Sequence, residues 1–233
     1  MRSPPATPAT LDRMTITLKP HSTVLFAGDS ITTLWRPDGE ERCGYPALAA
    51  GQWCFRHPDR PVTWLDAGHR GDTVADLEAR WQTDVLAARP DVVSILIGVN
   101  DNGRHTFAPD RPAISADEFA AGYDRLLAPL AGTPLILIEP FLLPIKGVVE
   151  AGVNGKPVRI DDTTRDEWRA GLNPKIQAVH ELAAAYGAEL LAADTMFAGL
   201  SAATGPERWS EDGVHPTPAG HAALAAAWLD LVS

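Results

Sequence analysis

Ser30, Asp212 and His215 are the side chains of this 233-residue chain whose types and spacing best suit covalent chemistry. Ser30 directly follows a short apolar run, and Asp212 precedes His215 by three residues, within one turn. A serine hydroxyl becomes a nucleophile when an imidazole takes its proton, and the imidazole needs an acid to orient it. The three residues therefore predict attack on a carbonyl carbon. Each segment alone is also typical of plain structure, since Asp-Gly favours a turn and a serine after a strand favours a helix cap.

Hydrogen-bond donors follow two further apolar runs between these segments. Gly68 lies in the stretch 66–73, where glycines allow the backbone to turn an N–H outward. Asn100 lies in the tetrapeptide 98–101 and offers a side-chain amide. Ligands of open α/β sheets bind beyond the carboxyl ends of the strands, so we expect these donors to meet Ser30 at one edge. Fixed donors at that edge suit the oxyanion of a tetrahedral intermediate, and the combination predicts acyl transfer.

The elements that must position these residues alternate between strand-like and helix-like segments. Five apolar runs are continuous, as expected for strands buried on both faces of a parallel sheet: 24–27, 62–65, 92–97, 135–138 and 189–191. Helix caps at Thr73, Ser115 and Thr217 predict helices that extend to about residues 88, 130 and 231. We therefore predict an α/β fold, a three-layer α/β/α sandwich with a five-stranded parallel sheet.

Residues 142–163 interrupt this alternation after the fourth predicted strand. The segments 148–153 and 156–160 flank Asn154-Gly155, the preferred pair for a type I′ turn, and predict a β-hairpin insertion at 148–160. A mobile loop is the alternative interpretation. The hairpin could be a subunit contact or a wall of the pocket, and a homo-oligomer is one expectation. The next helix is predicted to begin at Thr164 and to kink or restart at Asn173-Pro174.

Composition limits the class of protein. The chain has 20 basic and 30 acidic residues and a net charge of −10, which disfavours nucleic acid as a partner. No apolar run approaches the roughly 18–20 residues that span a bilayer, so no membrane association is expected. The two cysteines, Cys43 and Cys54, are interpreted as reduced thiols, with a single pairing as the alternative. Residues 1–13 are expected to form a disordered tail before one domain at 14–233, with Met14 as an alternative start and a cytoplasmic location.

The four motif segments, in this order, resemble the conserved blocks of the SGNH hydrolases, also called the GDSL esterase/lipase family. The resemblance extends from about residue 22 to the C-terminus and implies a flavodoxin-like fold. It implies that Ser30 is the nucleophile, that His215 is the general base, and that Asp212 orients its ring. It also implies an oxyanion hole made by the N–H groups of Ser30 and Gly68 and by the Asn100 amide. The family mechanism needs no cofactor, and nothing in the sequence has the spacing of metal ligands.

Within that family, the chain is similar to small bacterial acetyl esterases that act on acetylated xylo-oligosaccharides. The segments that carry this similarity are 77–81, 94–101, 214–216 and 219–221. The resemblance implies a serine esterase for short acyl esters, with an acetylated oligosaccharide as the small-molecule partner. A lysophospholipase, thioesterase or arylesterase with the same residues is the alternative, and a non-catalytic flavodoxin-like binding module is a third.

Some residues near the motifs depart from the resemblance or could shape a pocket. Asp66 stands where many relatives have asparagine, and we expect this change to alter the loop's hydrogen bonding but not the Gly68 donor. The segments 33–35 and 102–104 also depart from the usual pattern, which leaves substrate identity open. Candidate pocket residues are Phe141, Trp209 and His69, with Trp35 and Phe107 as further aromatics near the motif loops. For each aromatic, core packing is the alternative, and for His69 it is a solvent-facing position.

Overall fold

A five-stranded parallel sheet forms the centre of the protein. The computed structural model describes residues 15–33, 44–106, 112–145, 149–153 and 156–233. The sheet strands are β1 (Thr23–Gly28), β2 (Thr63–Gly68), β3 (Val92–Leu96), β4 (Leu135–Ile138) and β7 (Glu189–Leu191). They lie in the order β2-β1-β3-β4-β7, and every neighbouring pair is parallel. This order brings the carboxyl ends of β1, β2 and β3 together.

Helices cover both faces of this sheet. They are α1 (Tyr45–Arg56), α2 (Val74–Asp84), α3 (Val99–Gly103), α4 (Ala116–Leu127), α5 (Asp162–Tyr186), α6 (Ala193–Thr204) and α7 (Pro218–Leu229). Successive residues of β1 face opposite layers. Phe26 packs with Tyr45 and Trp228, from α1 and α7, while Leu25 joins a separate core cluster with α2, α4 and α5. Burial on both faces explains why the strands are continuously apolar, and it confirms the predicted three-layer sandwich.

The three predicted cap residues cap helices α2, α4 and α7 in the structure. Thr73 and Ser115 form capping boxes with Asp76 and Glu118, and Thr217 accepts the N–H of Gly220. The ends differ by a few residues from the prediction. Short 3₁₀ turns at 86–88 and 128–130 follow α2 and α4, so each α-helix ends before the predicted residue.

Helix α5 differs from its prediction at its start. It begins at Asp162 rather than at Thr164, because the carboxylate of Asp161 accepts the N–H of Thr164 at 3.0 Å and caps the helix three residues earlier. It also continues through Pro174 without restarting. Tertiary contacts support its first half, since the Trp168 indole N–H donates to Thr106 Oγ1 at 3.0 Å. Such contacts offset the cost of a proline within a helix, about 3 kcal/mol.

The excursion after β4 contains two paired strands. β5 (Val149–Val153) and β6 (Lys156–Ile160) run antiparallel, with Val153 opposite Lys156. Ile160 is buried and joins a small cluster with Leu142 and Trp168, which attaches the end of β6 to the domain. The role of these strands as a pocket wall or a subunit contact stays a prediction.

Some sequence predictions concern residues outside the described ranges: the 1–13 tail and Met14, Trp35, Cys43, Phe107 and the turn Asn154-Gly155. Cys54 lies on α1 as an exposed free thiol. No helix in the described ranges combines the length and the apolar composition needed to cross a membrane.

Candidate active site

Ser30 lies on a tight turn directly beyond the end of β1. The last residue of that strand, Gly28, has no room for a side chain, because a Cβ atom there would collide with the carbonyl oxygen of Leu96. Asp29 then closes the turn: its carboxylate accepts the Ile31 N–H at 3.0 Å and its carbonyl accepts the Thr32 N–H at 3.2 Å. Two short-range bonds therefore fix the backbone on both sides of a half-buried Ser30.

Ser30, His215 and Asp212 form one chain of hydrogen bonds. Ser30 Oγ lies 3.0 Å from His215 Nε2, and His215 Nδ1 lies 2.7 Å from Asp212 Oδ2. A protonated Nδ1 that donates to the carboxylate leaves Nε2 with the lone pair that accepts the serine proton. Residues 185 positions apart thus meet with the geometry needed to deprotonate a serine.

The loop that carries Asp212 is held by its own side chains. Asp212 Oδ1 accepts the N–H groups of Val214 at 2.8 Å and His215 at 2.7 Å, and the Ser210 hydroxyl donates to the His215 carbonyl at 2.8 Å. Burial acts to raise the pKa of Asp212, but the His215 ring and these N–H donors outweigh it and lower the pKa to about 2. The carboxylate is therefore ionised whenever His215 can act as a base.

The loop requires a glycine at position 213, between Asp212 and His215. Its φ angle is 92°, in the left-handed region that side chains disfavour. Its carbonyl accepts the Leu143 N–H at 2.8 Å, and a Cβ atom would lie 3.0 Å from the Leu143 carbonyl oxygen. The loop is thus docked on the segment that follows β4.

Asn100 is connected to Ser30 through Asp29. Asn100 Nδ2 lies 3.0 Å from the carbonyl oxygen of Asp72 and 3.3 Å from Asp29 Oδ2. Both hydrogens of the amide thus have acceptors in the structure, and the bond to Asp29 is the longer of the two. The structure brings Asn100 to the predicted edge of the sheet, beside the turn that carries Ser30.

Asp29 is an acid in an unusual environment. Its side chain is buried, and burial raises its pKa to about 7, against the opposing effects of the Ile31 N–H and the His215 charge. Asp101 is also buried, and both of its carboxylate oxygens accept the Val74 N–H that begins α2. The two aspartates beside Ser30 and Asn100 therefore bond loop backbone, and Asp29 additionally contacts Asn100.

Gly68 lies at the predicted place, but its N–H already has an acceptor. Asp66 Oδ1 accepts this N–H at 2.7 Å across a two-residue turn. The expectation that Asp66 would leave the Gly68 donor unaffected is therefore wrong. A Cβ atom on Gly68 would lie 2.6 Å from the Thr33 backbone nitrogen, so the glycine packs directly on the segment that follows Ser30.

Arg80 connects the end of β1 to Asp72, the residue that holds the Asn100 amide. The sequence analysis did not identify it. Its Nη2 donates to the Gly28 carbonyl at 3.2 Å and its Nε donates to Asp72 Oδ2 at 2.7 Å. Asp72 is the residue whose carbonyl holds the Asn100 amide. An arginine on an amphipathic helix gives no sequence signal for this role. The spacing of Asp66 and Gly68, by contrast, is typical of an Asx turn and could have revealed that contact.

The three predicted pocket residues differ in their burial and in their partners. Phe141 is fully buried in the core against Phe197, with ring centroids 4.7 Å apart, so it does not face a substrate and its assignment to the pocket is corrected. The His69 side chain is 57% exposed and lies 3.9 Å from Asp84. The Trp209 indole donates to Thr204 at 2.9 Å and packs on the core. The pocket roles of His69 and Trp209 remain predictions.

A cavity of about 240 Å³ lies between the segment that follows β4 and the helices α5 and α6. Its lining includes Leu143, Arg169 and Asp194, but neither Ser30 nor His215. Within the described residues, no group of three or more histidine, cysteine, aspartate or glutamate side chains is arranged to hold a metal ion.

The fold and the serine–histidine–aspartate chain at the carboxyl edge of its sheet define the class as α/β/α acylhydrolases. A sequence model of the GDSL-like Lipase/Acylhydrolase family matches residues 26–223. The chain belongs to this family and is a carboxylic ester hydrolase.

Individual relatives agree with this assignment. An acetylxylan esterase from Geobacillus stearothermophilus is 31% identical over 215 residues, which cover 88% of this chain and 91% of that protein. A crystal structure of an acetylxylan esterase from the same organism superposes with a TM-score of 0.74 at 28% identity, covering 92% of this chain and 95% of the other. An α/β hydrolase enzyme from the metagenome of Lake Arreo, Spain, gives a TM-score of 0.75 at 28% identity, with coverages of 91% and 95%.

Proposed function

We propose that this protein is a serine esterase that removes short acyl groups, acetyl above all, from carbohydrate esters. The observation that carries the proposal is the hydrogen-bonded chain from Ser30 through His215 to Asp212. Its distances are those that a general base needs in order to take a proton from a hydroxyl. The small-molecule partner is the acyl ester, and an acetylated oligosaccharide is the proposed natural form.

Acylation begins at the Ser30 hydroxyl. Its oxygen adds to the ester carbonyl carbon while His215 Nε2 takes the proton, and the carbonyl oxygen becomes an oxyanion. Asp212 stabilises the imidazolium that forms, and its low pKa keeps it ionised throughout. The tetrahedral intermediate then collapses, and His215 returns the proton to the departing sugar oxygen. The products of this half are the free alcohol and an acyl group on Ser30.

Deacylation repeats the same steps with water as the nucleophile. His215 takes a proton from water, the hydroxide adds to the acyl carbonyl, and the carboxylic acid leaves as Ser30 is reprotonated. In both halves, the proposed oxyanion donors are the N–H groups of Ser30 and Gly68 and the Asn100 amide. Losing one such donor typically costs about 10²–10³ in rate.

Relatives support the choice of substrate. The Geobacillus relative is named an acetylxylan esterase, and other structures of that enzyme are described as an acetyl-xylooligosaccharide esterase. Two of its structures are catalytic mutants in which a serine or a histidine is replaced by alanine. These residue types match Ser30 and His215 in the proposed mechanism.

Substrate profiling tests the proposal against its alternatives. Purified protein is assayed on acetylated xylo-oligosaccharides, on 4-nitrophenyl acetate and octanoate, on a lysophospholipid and on an acetyl thioester. We expect a sharp preference for acetyl over octanoyl esters, with release of acetate from the sugar. Faster turnover of the octanoyl ester, the lysophospholipid or the thioester would favour a lysophospholipase, arylesterase or thioesterase of the same family. Absence of hydrolysis on every ester would favour the non-catalytic binding module.

A further inference from the structure

The peptide group between Leu142 and Leu143 connects helix α5 to the loop that carries the catalytic acid and base. Its N–H, from Leu143, donates to the Gly213 carbonyl at 2.8 Å. Its carbonyl, from Leu142, accepts a hydrogen bond from Arg169 Nη2 on α5. A peptide group is planar, so its carbonyl and its N–H cannot turn independently. The direction of the bond to Gly213 therefore depends on what holds the Leu142 carbonyl.

Arg169 is itself held by a two-point ion pair with Asp194. Nη1 lies 2.9 Å from Asp194 Oδ2, and Nη2 lies 3.0 Å from Asp194 Oδ1. Oδ1 also accepts the Leu142 N–H at 3.2 Å, and Arg169 Nη1 has a longer contact of 3.4 Å with Asn173 Oδ1 on its own helix. Charged pairs of this kind have a defined geometry and are roughly twice as strong as neutral hydrogen bonds. The ion pair thus holds Leu142 at both its N–H and its carbonyl.

Asp194 lies in the first turn of α6, and a buried carboxylate fixes the backbone there. Glu139 directly follows β4, and its Oε2 accepts the N–H groups of Asp194 at 2.9 Å and Thr195 at 3.4 Å. Its Oε1 contacts His180 Nε2 on α5. The backbone that carries Asp194 is therefore attached to the central sheet as well as to α5.

We infer that Arg169 and Asp194 are positioning residues for ester hydrolysis, and that they orient His215 through the peptide group that they hold. The inference rests on the proposed function, because it concerns the same reaction. Within the described part of the chain, neither residue of the ion pair is hydrogen-bonded to a member of the triad. The pair therefore acts through the backbone, and its effect is expected on kcat rather than on substrate binding.

Hydrogen bonds within the segment 210–216 set its shape but not its distance from the nucleophile. The Asp212 carboxylate, for example, accepts backbone N–H groups only two and three residues further along. The Leu143 N–H, by contrast, reaches the segment from another part of the fold, and Val214 packs on the buried cluster that contains Leu142. A displacement of the connecting peptide group would therefore move the acid and the base together relative to the nucleophile.

Chemical rescue separates this role from a general loss of packing. Arg169→Ala removes a guanidinium group, and N-ethylguanidinium has the atoms that are lost. The cavity of about 240 Å³ is lined by both Arg169 and Asp194, so the small cation has room to bind there. Asp194→Ala removes the carboxylate that would hold the cation and should not be rescued. Arg125→Ala is the matched control, because Arg125 forms a two-point pair with Glu78, at 2.6 and 2.8 Å, between α4 and α2.

The measurements are kcat and KM for 4-nitrophenyl acetate and the rate at which a fluorophosphonate labels Ser30, with the folded fraction determined by urea unfolding. We expect Arg169→Ala and Asp194→Ala to lower kcat at least about fivefold, within the 10² that misplacement by about 1 Å can cost, with KM changed by less than about twofold. Labelling should slow by the same factor as kcat, and Arg125→Ala should match the wild type. Ethylguanidinium should raise kcat at least about threefold in Arg169→Ala and leave the other proteins unchanged, because only this variant lacks the guanidinium fork beside an intact carboxylate.

A smaller fall of kcat in Arg169→Ala, or an equal fall in Arg125→Ala, would overturn the inference. So would a lack of recovery with ethylguanidinium, or an equal recovery in Asp194→Ala. A lower free energy of unfolding with an unchanged kcat of the folded protein would limit the ion pair to stabilising the fold and would also overturn it. Failure of the proposed function has a different signature, because Ser30→Ala would then hydrolyse the ester at the wild-type rate.

Discussion

One carboxylate holds His215 at both its ring and its backbone. Asp212 Oδ2 lies 2.7 Å from His215 Nδ1, and Asp212 Oδ1 accepts the His215 N–H at 2.7 Å. The three-residue spacing makes this double contact feasible, and Gly213 supplies the backbone turn between them. The same side chain therefore selects the tautomer of the imidazole and fixes where its Nε2 points.

Asp212→Asn should separate these two roles. The amide oxygen can still accept a hydrogen bond, but the amide nitrogen is a donor and disfavours the tautomer that leaves Nε2 free to accept. We expect kcat for 4-nitrophenyl acetate to fall by about 10⁴, the loss seen when a triad aspartate becomes asparagine. Circular dichroism should show an unchanged fold. A rate within tenfold of the wild type would contradict the assigned role of Asp212.

We expect Asp29→Asn to make the fold more stable at alkaline pH and to lower the activity. Burial raises the pKa of Asp29 from 3.8 to about 7, so folding is disfavoured once the unfolded chain ionises. This difference between the pKa of the folded and of the unfolded state corresponds to roughly 4 kcal/mol. The lost bond to Asn100 offsets about 1 kcal/mol or more of this. We expect Asp29→Asn to increase the free energy of unfolding by about 2 kcal/mol at pH 8 and to lower kcat, because an amide group would face the Asn100 amide.

The pH dependence gives the sign of this effect. A raised pKa in the folded state contributes stability that is fully present below about pH 4 and is lost as the pH rises through about 7. Urea unfolding of both proteins at pH 5 and pH 8 measures it. The wild type should lose stability relative to Asp29→Asn between these values. Equal changes in the two proteins would show that Asp29 is not the titrating group.

Arg80 should act on the reaction through Asn100. It binds the Gly28 carbonyl and Asp72, and the Asp72 carbonyl holds the Asn100 amide. We expect Arg80→Met to lower kcat about tenfold, because the amide loses its fixed direction. In an Asn100→Ala background, the same change should cost less than about twofold, since residues in one network are non-additive.

A second arginine, Arg125, provides the control for this double-mutant cycle of Arg80 and Asn100. Arg125, on α4, binds Glu78, on α2, through two of its nitrogens at the protein surface, and neither residue contacts Asp72 or Asn100 in the hydrogen bonds of the described residues. Arg125→Met should leave kcat unchanged in both backgrounds. If Arg80→Met and Asn100→Ala lower kcat by independent factors, Arg80 stabilises the fold without positioning Asn100.

Strands and caps were predictable because each has a local cause. Burial on both faces makes β1 and β3 continuously apolar, and the capping boxes at Thr73 and Ser115 follow from side chains three residues apart. The parallel sheet then requires Ser30 and Asn100 to lie at one edge. The start of α5 was harder to predict, because Asp161 and Thr164 are both good caps, and the structure uses Asp161.

Long-range contacts were not predictable from one sequence. Nothing in the residues around Arg80 indicates that its side chain reaches the Gly28 carbonyl, 52 positions away. Phe141 was assigned to the pocket because it follows a strand end, but the helix α6 covers it with Phe197. Such contacts depend on how helices pack across the sheet, and no local pattern encodes that packing.

Covalent labelling of Ser30 tests the central claim most directly. A fluorophosphonate probe reacts with a serine that a neighbouring base has activated, and peptide mass spectrometry locates the modified residue. We predict labelling at Ser30 in the wild type, none in Ser30→Ala, and a strong loss in His215→Ala, with ester hydrolysis lost in both variants. A Ser30→Ala variant that is still labelled, or that hydrolyses esters at the wild-type rate, would contradict the serine mechanism.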